Sequence, residues 1–519
     1  MHRPLPLLLL CLAAVSCSGP AERHGEEYPL SAVPGATVYG KVTCNGTGIG
    51  GVVVSDGVVT AQTDAEGVYQ LASAKRNGLV FVSVPSGYRV ASRYGTVPHF
   101  WKALKQEAGT PERVDFSLLQ EDQTRFTLLV LGDIHLFNAR SSALFRRSLV
   151  QEAGDLVKAA DCPVYGLTLG DMTWDWHWTA DQFGISEYIT EMNRIEGMLV
   201  YNTIGNHDHD WTVDSRSEFA ATGEDWSCEK PYRRLQGPTC FSFNLGAWHF
   251  ISLDDAIVLD PGDLVKENRS SVRGITDTDL EWLRRDLSYV PRSTPLIVSL
   301  HIPLLNAAGG NYTRPSNSVH ASPEEILAPF RGYDVLLLSA HTHTVYNNTF
   351  TVDGISAEEW NGGAVCGDFW TSAGKGLNLC GNGAPGGYRI MEFDGGGYRS
   401  TYKALGKDGD YLFRSYDLGD GSVLVNVWDW KPGWTVEITE GGTPLEVTRT
   451  SGYDPLYLRL QEEGLTGTAP VLSYTLFHAT ASSAFSDLTV TVTDAHGRNR
   501  TETMHRPKAL ELDTYLSEQ

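Results

Sequence analysis

Five short polar runs carry side chains able to hold divalent metal ions: LGDIH (131–135), LGDMTWD (169–175), IGNHD (204–208), SLHIP (299–303) and SAHTH (339–343). They offer Asp133 and His135, then Asp171, then Asn206 with His207 and Asp208, then His301, and last His341 with His343. A mixed imidazole, carboxylate and amide set suits manganese, iron or zinc better than magnesium or calcium. Two such ions about 3.5–4 Å apart stabilise both the attacking and the leaving oxygen of a displacement at phosphorus. Taken singly each run is weak, because a strand-end Asp-x-His caps a loop about as often as it binds metal. A lone histidine such as His301 is more often a core residue. All five directly after apolar stretches point to one site assembled from distant segments. Within TIGNHDHD (203–210), His209 and Asp210 are expected to be loop residues, and His249, in the middle of AWHFISL, a core residue.

The elements that must position these runs are legible from residue patterns. Between about 125 and 405, apolar strands such as FTLLVL, VYGLTL, MLVYNTI, PLIVSL and DVLLLS alternate with helical stretches near 141–160 and 180–195, and with TDTDLEWLRRDLSYV. Fully apolar strands alternating with helices imply a sheet covered on both faces, and open α/β sheets place their chemistry at strand ends. A hairpin-like piece, CFSFNLGAWHFISL, makes the sheets mixed rather than purely parallel. Before this segment, VYGKV, GGVVVSDG, GVYQLA and LVFVSVPSGY are short β-type runs bounded by turn residues, predicting a small β-sandwich. After it, SVLVNVWDW, WTVEIT, LYLRL, SYTLFHAT and DLTVTVTD predict a second one. The domains expected are 30–115, 122–405 and 410–510.

The series D-x-H, G-D, G-N-H-D, H and H-x-H, in this order, resembles the motif set of the calcineurin-like metallophosphoesterases, and the flanking modules resemble those of three-domain secreted or lipoprotein bacterial members. The resemblance implies an α/β fold, an α/β sandwich with mixed sheets flanked by β-sandwiches, and a dinuclear centre of two divalent ions (Mn, Fe or Zn). By motif, Asp133, His135 and His343 would bind the first ion, Asn206, His301 and His341 the second, and Asp171 would bridge them. That leaves room for a bridging hydroxide as nucleophile in phosphoester hydrolysis. His207 would face the phosphate and protonate the leaving oxygen, with Asp208 orienting its imidazole. Trp174, Asp175, Phe369 and Trp370 are candidate pocket walls for substrate. The last motif departs from the family pattern, since Ala340 stands where glycine is usual. Alanine disfavours positive φ, so the loop must adjust if that position needs one. Diester and monoester substrates both stay open, with a small lean to diesters from the His135 of GDIH.

The whole chain narrows the setting. A formal charge of −22 over 519 residues makes a poor binder of nucleic-acid duplex, so positive charge for a phosphate must come from something local such as a metal. The start, MHRPLPLLLLCLAAVSCSGP, has Arg3, an apolar run and then small residues, as in a secretory signal over 1–17. Its AVSC end resembles a lipoprotein signal with Cys17 as the lipidated residue. That places the mature protein outside the cytoplasm, anchored at a membrane through lipid or otherwise secreted. Of the later cysteines, 228/240 and 366/380 are close enough in sequence to form bridges. The substrate expected is a phosphoester of a small molecule, lipid head group or glycan. Two rival readings are a noncatalytic glycan-binding surface lipoprotein and a pyrophosphatase acting on nucleotide sugars.

Overall fold

In the computed structural model, which describes residues 30–312 and 319–516, two mixed sheets face each other at the centre. The leader, with Cys17, lies outside the described residues. One sheet runs Leu199–Thr203, Val164–Leu169, Arg125–Leu131, Gly387–Asp394, Gly397–Ala404; its first three strands are parallel, and Gly387–Asp394 joins antiparallel. The other runs Phe241–Leu245, Trp248–Ser252, Leu296–Ser299, Val335–Ser339, Ile355–Gly362, Val345–Val352, with three parallel pairings at its centre. Strand residues from Phe126 to Leu131 and throughout Val164–Leu169 and Leu296–Ser299 are buried, which accounts for their unbroken apolar sequence. Aromatic rings fill the gap between the sheets: Phe126 stacks on Phe393 at 4.4 Å and meets Phe250 at 6.4 Å, and Phe250 stacks on Phe243 at 4.9 Å. At the strand ends the sheets are tied by hydroxyls, with Thr203 donating to Ser299 at 2.8 Å.

Helices cover the outer faces for local reasons. Asp277–Leu287 begins at the N-cap Thr276, carries Asp277 and Asp279 in its first turn and Arg284 and Arg285 in its last, and buries Leu280, Leu283 and Leu287 on one stripe. The expected helix near 141–160 is a continuous run from Ala139 to Ala159 with a wider π-turn at Arg146–Val150.

The flanking segments are strand-rich, as expected. A six-stranded sheet containing Val38–Cys44 and Phe116–Gln120 and a four-stranded sheet containing Leu79–Val82 share one core with the central domain. Phe100 makes that continuity concrete, with its ring 5.6 Å from Tyr201 and 5.1 Å from Phe241. Two four-stranded sheets follow residue 414, around a core that includes Val423, Val425, Val490 and Val492. One expected strand there is not a strand. LYLRL belongs to the helix Pro455–Glu462, because Asp454 caps its start by accepting from the Tyr457 N–H, Pro455 sits in the first turn, and Leu456 and Leu460 fall one turn apart in the core. The described residues from Ala32 onward form one compact unit. No helix among the described residues is long and apolar enough to cross a membrane. Cys228, Cys240, Cys366 and Cys380 are buried and unpaired, so neither of the bridges allowed by spacing forms.

Candidate metal centre

The five polar runs converge at the carboxyl ends of five central strands, three from one sheet and two from the other. Tight turns bring them together. Gly205 allows this most directly: a Cβ there would lie 2.2 Å from the Asp171 backbone nitrogen and 2.4 Å from its carboxylate oxygen. Gly132 is similarly closed in, by the Gly363 carbonyl at 2.7 Å and the Ala340 methyl at 2.9 Å. Asp133, His135, Asp171, His341 and His343 all have φ between 43° and 66°. Left-handed backbone at non-glycine residues costs on the order of 1–3 kcal/mol each and persists where the surroundings over-determine it. Ala340 is not among these residues, so alanine meets no conformational conflict there; its N–H donates to the His301 carbonyl at 3.0 Å, and the left-handed turns fall on the histidines that follow.

Two groups of donor atoms result. Asp133, His135 and His343 form one and Asp171, His301 and His341 the other, with the donor atoms of each group within 4.8 Å of one another. Asp171 joins them: its Oδ2 lies 3.5 Å from His135 Nε2 and 3.2 Å from His301 Nε2. Asn206 Oδ1 lies 3.0 Å from His301 Nε2, and His341 Nδ1 is 3.1 Å from that same nitrogen. Backbone carbonyls fix two of the imidazoles, since Nδ1 of His301 is 2.8 Å from the Leu169 oxygen and Nδ1 of His343 is 2.7 Å from the Gly367 oxygen. This turns each Nε2 lone pair inward, the orientation that metal-ligating histidines take from their outer partners.

The electrostatics fit cations at this place. Both carboxylate oxygens of Asp133 are buried without a hydrogen-bond partner, and His343 Nε2 faces His135 Nε2 at 3.2 Å. Burial pushes the Asp133 carboxyl well above the usual carboxylate range, and Asp171 adds to the push. Burial alone would raise Asp171 too, but His301 and His207 beside it hold it well below that range. Burial keeps His341 neutral down to about 3 and His343 down to about 4, the protonation state a ligand needs. Orphaned carboxylate oxygens facing inward lone pairs are costly by themselves and are satisfied by divalent ions.

His207 stands beside the donors but points differently. Its ring centre is 5.5 Å from that of His135, its backbone N–H donates to Asp171 Oδ1 at 2.8 Å, and its Nδ1 lies 2.7 Å from Asp175 Oδ1. Asp208, expected to orient this imidazole, does not reach it. Its buried carboxylate accepts from the backbone N–H groups of Met172, Thr173 and Gly205 at 3.3, 3.0 and 3.0 Å, which locks the two glycine turns to each other. Burial next to Asp171 pushes its carboxyl up to about 7.

The imidazole partner is Asp175, expected instead to be a pocket wall. It is fully buried, and its Oδ2 is ion-paired with Arg269 Nε at 2.8 Å. Arg269 also donates to the Asn206 carbonyl. No sequence motif marks Arg269, which lies 63 residues beyond Asn206 in an irregular stretch.

The candidate walls divide. Trp174 and Phe369 are half-buried and stack on each other at 4.7 Å, with Phe369 4.5 Å from the His343 ring and 4.9 Å from the His135 ring. Trp176 stands edge-on to His207 at 5.5 Å. Trp370 does not face the site: it is 3% exposed and its indole donates to the Ile134 carbonyl at 2.9 Å, beneath the donor loop. His249 is core, as expected, and bonds Asp286 at 2.9 Å. His209 lies in a loop, as expected, and is fully buried there.

Sequence comparison gives three adjoining matches: the N-terminal part of the calcineurin-like phosphoesterases over residues 36–121, the calcineurin-like phosphoesterase domain over 126–345, and the C-terminal part over 359–499. No curated protein matches the chain. Among solved structures, the yellow lupin purple acid phosphatase PPD1 is similar over 55% of this chain and 52% of its own, at 12% identity and a TM-score of 0.37. PhoD is similar over 73% and 83%, at 11% identity and a TM-score of 0.36. A 5'-nucleotidase precursor from Thermus thermophilus is similar over 54% of each chain, at 13% identity and a TM-score of 0.29. The chain thus spans about half the length of the lupin and Thermus proteins. With one family's N-terminal, central and C-terminal parts matched in order, the chain belongs to the calcineurin-like phosphoesterases.

Proposed function

We propose that the protein is a dinuclear-metal phosphoester hydrolase, with Asp133, His135 and His343 holding one ion, Asn206, His301 and His341 the other, and Asp171 both. The observation that carries this reading is the position of Asp171 Oδ2 between His135 and His301, one from each donor group. Two divalent ions bound there would supply Lewis acidity at the phosphoryl oxygens and lower the pKa of water.

The remaining work falls to the chain's own residues. Asp175 accepts from Nδ1–H of His207, so the proton given in the reaction is the one on Nε2 of the imidazolium form. In an in-line displacement, a water oxygen bonds to phosphorus as the ester P–O bond breaks, the leaving oxygen takes its proton from His207 Nε2, and the proton released by the attacking water passes to solvent, from which His207 is reprotonated. Arg269 neutralises the outer oxygen of Asp175 and ties that carboxylate to the Asn206 backbone, so donor loop and acid move as one piece. The Trp174–Phe369 pair beside His135 and His343 offers a flat apolar shelf for the rest of the substrate.

Action outside the cytoplasm, with a lipid anchor at Cys17, is part of the proposal and rests on the leader sequence. The test joins metal content to a panel of bis-nitrophenyl phosphate, nitrophenyl phosphate and a nucleotide sugar, with Asp171→Asn alongside. Expected at this centre are about two ions per chain and hydrolysis of at least one ester, both lost in the variant. Activity unchanged by Asp171→Asn, or a metal-loaded protein inert to all three, removes the reading; activity on the nucleotide sugar alone would move it to pyrophosphate bonds.

A further inference from the structure

A third donor group lies apart from the seven residues above. His209 Nε2, Asp225 Oδ2 and Cys228 Sγ lie within 4.8 Å of one another and belong to buried residues. His209 Nε2 is 4.0 Å from Asp225 Oδ2, and Cys228 Sγ is 3.7 Å from the same oxygen. His209 Nδ1 lies 2.9 Å from the Gly205 carbonyl, so its proton sits there and Nε2 carries the lone pair. His301 and His343 are set by a backbone carbonyl in the same way. His209 Nε2 is buried with no hydrogen-bond partner, and the Asp225 oxygen it faces at 4.0 Å is beyond hydrogen-bond reach. Asp225 Oδ2 is itself oriented by the Val258 N–H at 2.8 Å, as an outer partner orients a ligating carboxylate.

Buried acids crowd the surroundings, and the nearby Arg269 is paired with Asp175. Asp225, Glu229 and Asp254 are all buried, and Arg233 pairs with Glu229 at 2.5 Å. Burial pushes Asp225 well above the usual carboxylate range and Glu229 adds to that. A nucleophilic role for Cys228 does not fit, because the thiol is fully buried and burial raises its pKa.

We propose that His209, Asp225 and Cys228 form a separate zinc site that pins the helix Trp226–Leu235 to the loop carrying Asn206 and His207. A thiolate, imidazole and carboxylate set suits zinc, whose Zn–S, Zn–N and Zn–O bonds of about 2.3, 2.0 and 2.0 Å need only a small closure of the observed spacings. Binding deprotonates Cys228 and neutralises the buried acids around it. Asp210 N–H already donates to the Cys228 carbonyl at 2.7 Å, so helix and loop meet in this arrangement before the ion is counted.

The test uses a spectroscopic signature the dinuclear centre cannot give, since its proposed ligands are all nitrogen and oxygen. Full-length protein loaded with cobalt is expected to show thiolate-to-cobalt charge-transfer absorption in the near ultraviolet. Metal content is expected to reach about three ions per chain. Cys228→Ser and His209→Gln should each abolish the absorption and remove about one ion per chain, and Asp171→Asn should leave the absorption in place. Cys366→Ser is the control, because Cys366 Sγ lies 3.7 Å from His343 Nδ1 and is the thiol next to the dinuclear donors. Absence of the absorption from cobalt-saturated parent protein overturns the proposal, as does its survival in His209→Gln or its loss in Cys366→Ser. If Cys228→Ser does not fold, the parent spectrum and His209→Gln still decide. Failure here leaves the hydrolase reading untouched.

Discussion

Replacing Asp175 by asparagine isolates the part of the proposed mechanism that belongs to side chains rather than metals. The amide keeps an acceptor for His207 Nδ1, now 2.7 Å from the carboxylate, but removes the charge that also pairs with Arg269 at 2.8 Å. A hydrogen bond to a charged group contributes about 1.5–3 kcal/mol and one between neutral groups about 0.5–1.5 kcal/mol, so the loss is about 1–2 kcal/mol. At 1.36 kcal/mol per tenfold, kcat/KM should fall by about 5- to 30-fold. Complete loss of general acid catalysis, through His207→Asn, should cost about 10²–10⁴-fold. The assay compares an alkyl with a nitrophenyl ester of phosphate, because nitrophenolate leaves without help. The Asp175→Asn defect should therefore appear on the alkyl ester and shrink on the nitrophenyl ester, at unchanged metal content. Equal defects on both esters, or full activity on the alkyl ester beside a crippled His207→Asn, would refute the assignment of His207 as acid and Asp175 as its partner.

Gly205→Ala should lose metal and activity together, because its methyl would lie 2.2 Å from the Asp171 backbone nitrogen; metal analysis of the purified variant checks this. Trp174→Ala should raise KM far more than it lowers kcat, since the indole stacks on Phe369 at 4.7 Å and stands edge-on to His135 at 5.7 Å without offering a ligand atom; steady-state kinetics separates the two effects. Asp429→Ala should destabilise the fold by about 3–5 kcal/mol, because it leaves buried Arg389 without the carboxylate it binds at 3.1 and 2.8 Å; denaturant unfolding measures it. Arg389 and its neighbours overcome the burial of Asp429 and hold its carboxyl down to about 2. With the folded value below the unfolded one, this stability is fully present above about pH 4 and is lost as pH falls toward 2, which acid unfolding of parent and Asp429→Ala should show converging.

What could be read from the sequence follows contact order along the chain. Asp133, Asp171, Asn206, His301 and His341 lie two or three residues past apolar strands, and a strand pattern fixes both the run and its end. Asp175 was visible as a residue but not as a partner, because four residues beyond Asp171 the chain has turned back beneath His207. Asp208, adjacent to His207, was the natural choice by proximity, yet three backbone N–H groups claim it. Arg269 had no local signal, since only tertiary packing brings it to Asp175. The same reasoning explains LYLRL: its alternation mimics a strand, and the deciding signal is the Asp454-Pro455 start.

The charge of the chain makes the division of labour between metals and side chains stricter. At −22, the protein repels an anionic ester at long range, and a phosphate that arrives must meet a local concentration of positive charge. Arg269 does not supply it, because its guanidinium is turned to Asp175 and the Asn206 carbonyl. Lys266 lies 3.6 Å over the Trp176 ring, on the rim. Within the donor cluster burial keeps His135, His341 and His343 neutral, and although Asp171 overcomes burial and raises His301 to about 10, that imidazole is ion-paired with the Asp171 carboxylate at 3.2 Å. In the proposed mechanism phosphate affinity would therefore come almost wholly from bound ions, with His207 adding a proton only where the leaving oxygen needs one. An enzyme built this way should lose substrate binding as well as turnover when its metals are removed, whereas one with a basic pocket would keep the first.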